Sequence, residues 1–385
     1  MITVLRGAAA LALIAWVYLL LARGGFWRVP RLRSPEPPPH VPPRRVVAVI
    51  PARDEAPVIA EAVESLLRQR FAGSIEVVVV DDGSTDDTAG AARAAAGQVA
   101  GASTHLTVLR SAPLPAGWTG KLWAMSQGLA RACELNPDYL LLTDADIHHD
   151  PDNVAALLAR AEAQGHDLVS YMVRLSVASF AERFLMPAFV FFFFMLYPPA
   201  WVASPRFRAA AAAGGCMLVR PEALARIGGL QSFRSHIIDD CALARAIKGS
   251  GGSVRLGLTR TARSVRSYGT FREIGRLISR TAFSQLRHSY GLLVVTLAGL
   301  AVTYLLPPLL LLTGDRMTIA FAGAAWALMS VAYLPMVRFY GLGALWSLAL
   351  PAVAVFYAGA TAHSAVQYAL GRGGNWKGRA QDLRA

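Results

Sequence analysis

The sequence is short of charge. Only 16% of its 385 residues are Asp, Glu, Lys or Arg, against 54% hydrophobic. That balance is too apolar for an ordinary soluble enzyme, so part of the chain is expected in lipid. Acidic residues are the scarcer sign, 25 against 38 basic, leaving a formal charge of +13. The basic residues are dispersed among apolar flanks and aromatic residues instead of forming one run. Nucleic acid is therefore not the expected partner; an anionic membrane surface or a phosphate-bearing substrate is. Cysteine is nearly absent. Cys133, Cys216 and Cys241 show no pairing or metal spacing, which excludes a disulfide scaffold and suits a reducing compartment. Neither G-x-G-x-x-G nor G-x-x-x-x-G-K-[ST] comes after the first β-branched run, arguing against a dinucleotide fold and a P-loop NTPase.

What is present begins with apolar runs at both ends. Residues 1–23 form an expected N-terminal membrane anchor. The run Gly7 to Ala22 is succeeded by Arg23, Arg28, Arg31, Arg33, Arg44 and Arg45, and by the positive-inside bias these arginines put the chain beyond the anchor in the cytoplasm. A cleaved signal peptide is the rival reading, with only a poor small-x-small site in "LLARGGFW". Residues 24–45, with "SPEPPPHVPPRR", read as a semi-rigid Pro/Arg-rich linker. Over 291–370, Gly291 to Gly314, Met317 to Val337 and Gly343 to Leu370 are three stretches of spanning length, with a basic tail, 371–385, after them. The tail prefers the cytoplasm, whereas one span in front and three behind would leave it outside. Pro307, Pro308 or Pro351 offers a break or re-entrant turn, so four membrane segments are expected with the number of crossings open. Few spans, and no ionisable side chain deep inside them apart from His363 near one end, argue against a transporter.

Between these ends, 46–265 reads as one α/β catalytic domain. Val46–Ile50, Ile75–Val80, Leu106–Leu109 and Tyr139–Thr143 are expected strands, and Pro57–Arg70 and Lys121–Cys133 expected helices. Alternating strands and helices imply a mainly parallel sheet with flanking helices, with ligands beyond the carboxyl ends of the strands. Acidic pairs fall at three such ends: Asp54 and Glu55 in "PARDE", Asp81 and Asp82 in "DDGSTDDT", Asp144 and Asp146 in "TDADIHHD". Carboxylates so concentrated are costly to desolvate without a cation. Asp81 or Asp82 suits a ribose hydroxyl or base N–H, and a divalent ion on Asp144 and Asp146 would bridge to a diphosphate. Simple turn-making by Asp and Gly is the alternative for each cluster taken alone.

In order along the chain, "VIPARDE", "VVVVDDGSTDDT", "GWTGKLWA", "LLLTDADIHHD" and "IIDDCALARAI" resemble the family 2 glycosyltransferases of the GT-A, Rossmann-like fold. More narrowly, "LPAGWTGKLWA", "FAERFLMPAFVFFFFMLYPPAW", "AAAAGGCMLVR" and "WKGR" resemble the hopene-associated glycosyltransferases of bacterial hopanoid gene clusters. The resemblance implies that Pro51, Ala52, Asp54 and Glu55 form the first nucleotide-binding turn, and that Asp82, with Asp81 beside it, holds uridine or a similar nucleoside, so that a UDP-sugar is the expected donor. It implies Mg²⁺ or Mn²⁺ on Asp144 and Asp146, with His148 either a further ligand or a polar loop residue. Lys121 matches the family's G-K element and would meet the phosphates as a point charge, unless it is a solvated helix-start lysine. Asp240 falls in the place of the base that takes the acceptor's proton, with Asp239 its acidic neighbour; the alternative is a helix N-cap before Cys241–Lys248. The sequence departs from processive relatives in having no clean Q/R-x-x-R-W. Arg280, Gln285 and Arg287 in "SRTAFSQLRHS" are the available substitutes, and a single transfer is favoured over a processive synthase.

Two segments suggest how an acceptor arrives. Residues 184–203 are apolar enough to cross a membrane, but a crossing there would separate Asp144 and Asp146 from Asp239 and Asp240. A segment that dips into one leaflet or packs on the C-terminal spans is expected instead. Residues 268–290 carry Phe271, Ile274, Ile278 and Leu286 near helical spacing, with Arg272, Arg276, Arg280 and Arg287 at other positions, the pattern of an interfacial amphipathic helix or of an ordinary half-buried one. The resemblance as a whole implies an inverting, metal-dependent transferase of the bacterial inner membrane, its catalytic domain facing the cytoplasm, moving one sugar from a nucleotide-diphosphate sugar to a lipid, by family a hopanoid. A polyprenyl phosphate, carotenoid, glycerolipid or ceramide-like acceptor, or an inactive scaffold, stands as the alternative.

Overall fold

The computed structural model describes residues 1–29, 43–99, 101 and 105–374; most of the expected linker, and the tail from 375 with its "WKGR", lie outside them. The elements in chain order begin with α1 (Ile2–Leu21), β1 (Arg44–Ala52), α2 (Ala56–Leu67), β2 (Gly73–Asp81), α3 (Thr88–Gly97), β3 (Leu106–Arg110), α4 (Gly120–Glu134), β4 (Tyr139–Leu142) and β5 (Ile147–His149). They continue with α5 (Asn153–Gln164), β6 (Leu168–Arg174), α6 (Phe180–Leu196), α7 (Pro199–Ala203), β7 (Met217–Val219), α8 (Pro221–Arg226), α9 (Asp239–Gly249) and β8 (Val254–Ser264). The chain closes with α10 (Phe271–Ser279), α11 (Ala282–Gln285), α12 (Tyr290–Leu300), α13 (Leu306–Leu310), α14 (Arg316–Phe339) and α15 (Leu350–Ala369). These fall into two units: a sheet domain, Pro30–Ser176 with Trp201–Arg266, and a helical unit, Met1–Val29, Val177–Ala200 and Ser267–Ala385.

In the sheet domain, eight strands run in the order β3-β2-β1-β4-β7-β6-β8-β5. The pairings β3–β2, β2–β1, β1–β4 and β6–β8 are parallel, and β4–β7, β7–β6 and β8–β5 antiparallel. The sheet is thus mixed, parallel in the half that the acidic motifs occupy. From Val46 to Ala52 every residue of β1 is buried, as expected of a strand covered by helices on both faces. Helix α4 comes so close that a Cβ on Gly128 would lie 2.5 Å from Val49 Cγ1 and 2.9 Å from Val80 Cγ2; only glycine allows that approach without repacking. Because β1, β2 and β4 are parallel and in register, Asp54–Glu55, Asp81–Asp82 and Asp144–Asp146 emerge at one edge of the sheet.

The helical unit contains four helices long and apolar enough to cross a membrane: Ile2–Leu21, Tyr290–Leu310, Arg316–Phe339 and Ala344–Ala369. Arg6 donates to Asp315 through Nε (2.9 Å) and Nη2 (2.7 Å), and Asp315 caps α14 by accepting from Thr318 N at 3.0 Å. The starts of α1 and α14 therefore share one end of the unit. Trp16 Nε1 donates to Thr303 O at 2.8 Å, within a π turn, Ala301–Leu305, ahead of Pro307 and Pro308; proline removes the N–H groups that would continue a regular ladder. Tyr290–Leu310 runs antiparallel to α1, and α14 runs back from Asp315.

The fourth segment behaves differently. Its 3₁₀ turn, Ala344–Ala349, lies beside the middle of α14, where Trp326 Nε1 donates to Leu348 O at 3.3 Å. From there α15 returns to the end at which α14 finished: Tyr368 stacks on His288, just ahead of α12, with ring centroids 4.2 Å apart. A segment of spanning length thus enters and leaves at the same end.

Helix α6 belongs to this unit, begun by a capping box between Ser179 and Glu182. Phe191 meets Tyr333 at a centroid distance of 5.1 Å, and Phe192 meets Tyr304 and Tyr357 at 5.6 and 4.9 Å. Tyr357 Oη donates to Leu185 O at 3.0 Å. The single amphipathic helix expected over 268–290 is instead two, α10 and α11. The left-handed φ of Arg287 (53°) and His288 (55°) ends the second, a conformation that no helix continues through.

Candidate functional site

The first turn after β1 is held by its neighbours. Asp54 adopts φ 51°, rare for a non-glycine residue, and its Oδ1 accepts from Thr85 N at 2.7 Å, while Ser84 Oγ accepts from Asp54 N at 3.0 Å. Asp81 Oδ1 accepts from Ser84 N at 2.9 Å and from the Ser84 hydroxyl, so this carboxylate shapes its own turn. Asp82 is buried, its N–H donating to Ala52 O at 2.8 Å, and Arg53 donates to its carbonyl. Pro51 and Ala52 pair with Val80 and Asp81 in the β1–β2 register.

Lys121 lies in the first turn of α4, where a positive side chain opposes the helix dipole. The compensation is local: its Nζ is 2.8 Å from Asp144 Oδ1 and 3.2 Å from Asp239 Oδ2. Burial alone would lower its pKa, but Asp144 and Asp239 outweigh burial and hold it above the ordinary lysine value. The solvated helix-start alternative is thereby excluded. Asp239 and Asp240 open α9, whose N-cap is Ile238; they occupy the first turn and are not the cap. Asp240 Oδ2 accepts from Gly214 N at 2.9 Å and Oδ1 from Cys241 N at 2.7 Å. Burial, then the charge of Asp239, pushes the Asp240 carboxyl up to about 6.

Asp146 is partly buried, and its pKa is raised by desolvation first and by Asp144 second, against Arg266. Arg266 Nε lies 3.1 Å from Asp146 Oδ2, Nη2 of the same guanidinium pairs with Glu55, and Ser264 Oγ donates to Asp146 Oδ2 at 3.0 Å. Arg266, in "SVRSY" after β8, carried no sequence motif and was missed; only the fold brings it here. Gly214 was equally invisible as a site residue. A Cβ there would lie 3.4 Å from Lys121 Nζ, 3.5 Å from Asp240 Oδ2 and 3.7 Å from Asp144 Oδ2, so one glycine stands amid the lysine and two of the carboxylates.

Among the described residues no three His, Cys, Asp or Glu side chains converge as a metal cage. His148 lies with Glu61 (3.1 Å) and Asp150 (3.4 Å), not with Asp144 and Asp146, which corrects the reading of it as a ligand. The remaining donors still fit a hard divalent ion. Glu55, Asp144, Asp146, Asp239 and Asp240 are five carboxylates facing two cations, Lys121 and Arg266, and an Mg²⁺-type ion commonly takes one or two carboxylates and completes its shell with substrate phosphate and water. The three substitutes for Q/R-x-x-R-W, Arg280, Gln285 and Arg287, all belong to the helical unit and not to the sheet domain. Gln285 donates to Tyr197 Oη, and Arg280 Nε is buried without a hydrogen-bond partner among the described residues.

Residues 47–228 match the family model "Glycosyl transferase family 2". A 4,4'-diaponeurosporenoate glycosyltransferase of Staphylococcus aureus (strain MRSA252) is 32% identical over 123 residues, 32% of this chain and 29% of that protein. The same enzyme from strain bovine RF122 / ET3-1 is 31% identical over 123 residues, again 32% of this chain and 29% of that protein. The chain thus matches less than a third of the length of these relatives. The solved structure of a mannosyltransferase, PcManGT from Pyrobaculum calidifontis in complex with GDP-Man and Mn²⁺, superposes with a TM-score of 0.55 at 21% identity, covering 93% of this chain and 99% of that one. That likeness is one of fold, and with GDP-Man in it the expected preference for UDP-sugars gains no support. Residues 47–228, just under half of the chain, thus match the family 2 glycosyltransferase model, and the chain has the GT-A fold.

Proposed function

We propose that the protein is a membrane-bound inverting glycosyltransferase that moves one sugar from a nucleotide-diphosphate sugar to a hydroxyl of a membrane lipid, a hopanoid by the resemblance of its motifs. The observation that carries this reading is the arrangement about Gly214, which sets a partly buried carboxylate of raised pKa, Asp240, across from Asp144 with Lys121 beside both. Asp240 takes the proton of the acceptor hydroxyl as its oxygen bonds to the anomeric carbon, and the bond from that carbon to the diphosphate breaks on the opposite face. Two N–H donors, from Gly214 and Cys241, hold its carboxylate in place. Asp239 shares Lys121 with Asp144, and Lys121 balances charge near the diphosphate. Pro51, Ala52, Asp54, Glu55, Asp81 and Asp82 form the nucleotide's side of the crevice. Mg²⁺ or Mn²⁺ held by Asp144 and Asp146 would offset the charge of the leaving diphosphate.

The same reading places the protein in the bacterial inner membrane with three crossings, α1, Tyr290–Leu310 and α14, and one re-entrant segment, Ala344–Ala369. Arg23 and Arg28 follow α1, and by the positive-inside bias the transferase domain faces the cytoplasm. Non-helical backbone at membrane depth is tolerated where protein or a cavity receives it. A second reading changes only the acceptor, to a carotenoid-type lipid, and is favoured by the identity with the diaponeurosporenoate enzymes.

The test is release of nucleoside diphosphate by detergent-purified protein given UDP- or GDP-sugars, with or without Mn²⁺ or Mg²⁺, and with hydroxylated hopanoids or carotenoid acids. Metal-dependent release stimulated by hopanoid, and lost in Asp146→Ala and Asp240→Ala proteins that still insert and fold, supports the assignment. Stimulation by the carotenoid alone moves it to the second reading, and wild-type turnover in either variant removes the site.

A further inference from the structure

His149 is 1% exposed and sits behind the D-x-D turn with Thr143 (1%) and Asn153 (0%). Burial, then the neighbouring His148, pushes its imidazole pKa down to about 3, so the ring is neutral at any working pH. Its Nε2 is 3.0 Å from Thr143 Oγ1 and its Nδ1 2.9 Å from Asn153 Nδ2. Thr143 Oγ1 in turn donates to the carbonyl of Gly215 at 2.7 Å. On the other side Asn153 Oδ1 accepts from Thr261 Oγ1 at 2.7 Å, and Thr259 Oγ1 is 2.7 Å from Thr261 Oγ1.

The chain of hydrogen bonds has one polarity that satisfies every member. A carbonyl only accepts, so the one hydroxyl hydrogen of Thr143 is committed to Gly215 O, and Thr143 must accept from His149. That places the imidazole hydrogen on Nε2 and leaves Nδ1 to accept from the Asn153 amide. The Asn153 oxygen then takes the Thr261 hydrogen, and Thr259 supplies Thr261. The two ends of this chain matter to the site. Thr143 immediately precedes Asp144, and Gly215 comes directly after Gly214, whose N–H holds Asp240 Oδ2. The Thr143–Gly215 bond therefore ties the turn bearing the D-x-D carboxylates to the turn that orients the base.

We propose that His149, as the neutral Nε2–H tautomer supported by Asn153, is a positioning residue that sets the D-x-D turn against the Gly214–Asp240 turn through Thr143. This rests on the transferase reading for its effect on rate, but the tautomer itself does not. His149 makes no contact with substrate in this role; it acts on the spacing of groups that do. Displacing a reacting group by about 1 Å costs on the order of 10²-fold in rate, and both D-x-D carboxylates ride on the same turn, so nucleotide binding should survive where transfer fails.

Two measurements test it. Two-bond ¹H–¹⁵N correlation on the full-length protein labelled with ¹⁵N-histidine, assigned by loss of one signal in His149→Gln, should show an Nε2–H imidazole unchanged from pH 5 to 8. An Nδ1–H tautomer or an imidazolium overturns the proposal, whether or not the protein proves to be a transferase. In the second, His149→Phe, which keeps the volume but neither polar atom, should lower kcat by roughly 100-fold with the KM for nucleotide-sugar within about threefold. His149→Gln, which presents an N–H₂ to Thr143 and an oxygen to Asn153, should recover most of it. Equal kcat in wild type and His149→Phe, or a loss in KM alone, overturns it. Should His149→Phe not fold, Thr143→Val, which removes only the hydroxyl link, must show the same kcat loss. No transfer by the wild type with an Nε2–H signal in place would sink the enzyme reading and leave the hydrogen-bond chain standing.

Discussion

Replacing Gly214 by alanine separates what the site needs from what the fold needs. Gly214 is not among the left-handed glycines, so alanine meets no backbone strain. The new methyl would stand 3.4 Å from Lys121 Nζ, 3.5 Å from Asp240 Oδ2 and 3.7 Å from Asp144 Oδ2, from slightly tight to ordinary contact distances, with a flexible lysine end as the nearest neighbour. Stability should thus change by less than about 1 kcal/mol, with the reduced freedom of the unfolded chain acting in favour of the variant. Catalysis should not survive as well, because on the proposed assignment of Asp240 and Asp144 the methyl occupies the space in which acceptor oxygen and anomeric carbon would meet. A displacement of about 1 Å predicts a fall in kcat on the order of 10²-fold, close to ~2.7 kcal/mol of transition-state stabilisation. Gly128→Ala supplies the opposite case. Its Cβ at 2.5 Å from Val49 Cγ1 and 2.9 Å from Val80 Cγ2 overpacks the α4–sheet contact, costing about 1–3 kcal/mol while leaving the folded molecules active. The assay pairs single-turnover transfer with a melting curve in the same detergent. Wild-type kcat in Gly214→Ala, or a kcat loss there accompanied by a melting shift as large as that of Gly128→Ala, would refute the placement of the reaction at this glycine.

The same geometry carries three more expected outcomes. Because burial and Asp239 raise the Asp240 carboxyl to about 6, the base is lost by protonation as pH falls through that value, and kcat/KM should drop about tenfold per pH unit below it; the apparent pKa belongs to the Asp239–Asp240 pair, and a profile flat down to pH ~4.5 would remove Asp240 as the base. Arg266 holds Asp146 and Glu55 against an incoming cation, so Arg266→Gln should tighten Mn²⁺ binding to the substrate-free protein by several-fold, read by electron paramagnetic resonance titration, whereas Asp146→Asn should weaken it; equal affinity in all three contradicts the fit of the ion to this site. The return of α15 to the end of α14 predicts that reporters fused after Gly374 fall on the same side of the membrane as those inserted in the sheet domain, and opposite to one before Met1; a reporter after Gly374 on the Met1 side would make Ala344–Ala369 a true crossing.

Much of the fold was legible because it is written in local pattern. β-Branched runs at 46–50, 75–80 and 106–109, each ended by Asp, Pro, Arg or Ser, name parallel strands without reference to anything distant, and the structure lengthens each by no more than two residues at either end. The acidic strand ends were legible for the same reason, since parallel strands send their carboxyl ends to one edge. What periodicity alone misjudged were places where a tertiary partner overrules it. The amphipathic stretch over 268–290 breaks at Arg280 because Ser364 engages both the Ser279 carbonyl and, at 3.0 Å, the Phe283 N–H. Of two adjacent histidines, strand alternation requires one to face in and one out; the sequence does not say which, and His148 rather than His149 drew the functional reading.

By itself, then, the sequence determined the strand–helix alternation, the edge at which the carboxylates gather and the apolar segments, all consequences of spacing within a few residues. Only the tertiary structure decided that Lys121 bridges Asp144 and Asp239, that Arg266 reaches back 120 residues to Asp146, that Gly214 stands between Asp240 and Asp144, and that the last apolar segment turns back on itself. Each of these depends on which distant side chains share a small, desolvated volume. That is settled by the packing of the whole domain or unit, since a buried charge takes whichever partner the fold delivers.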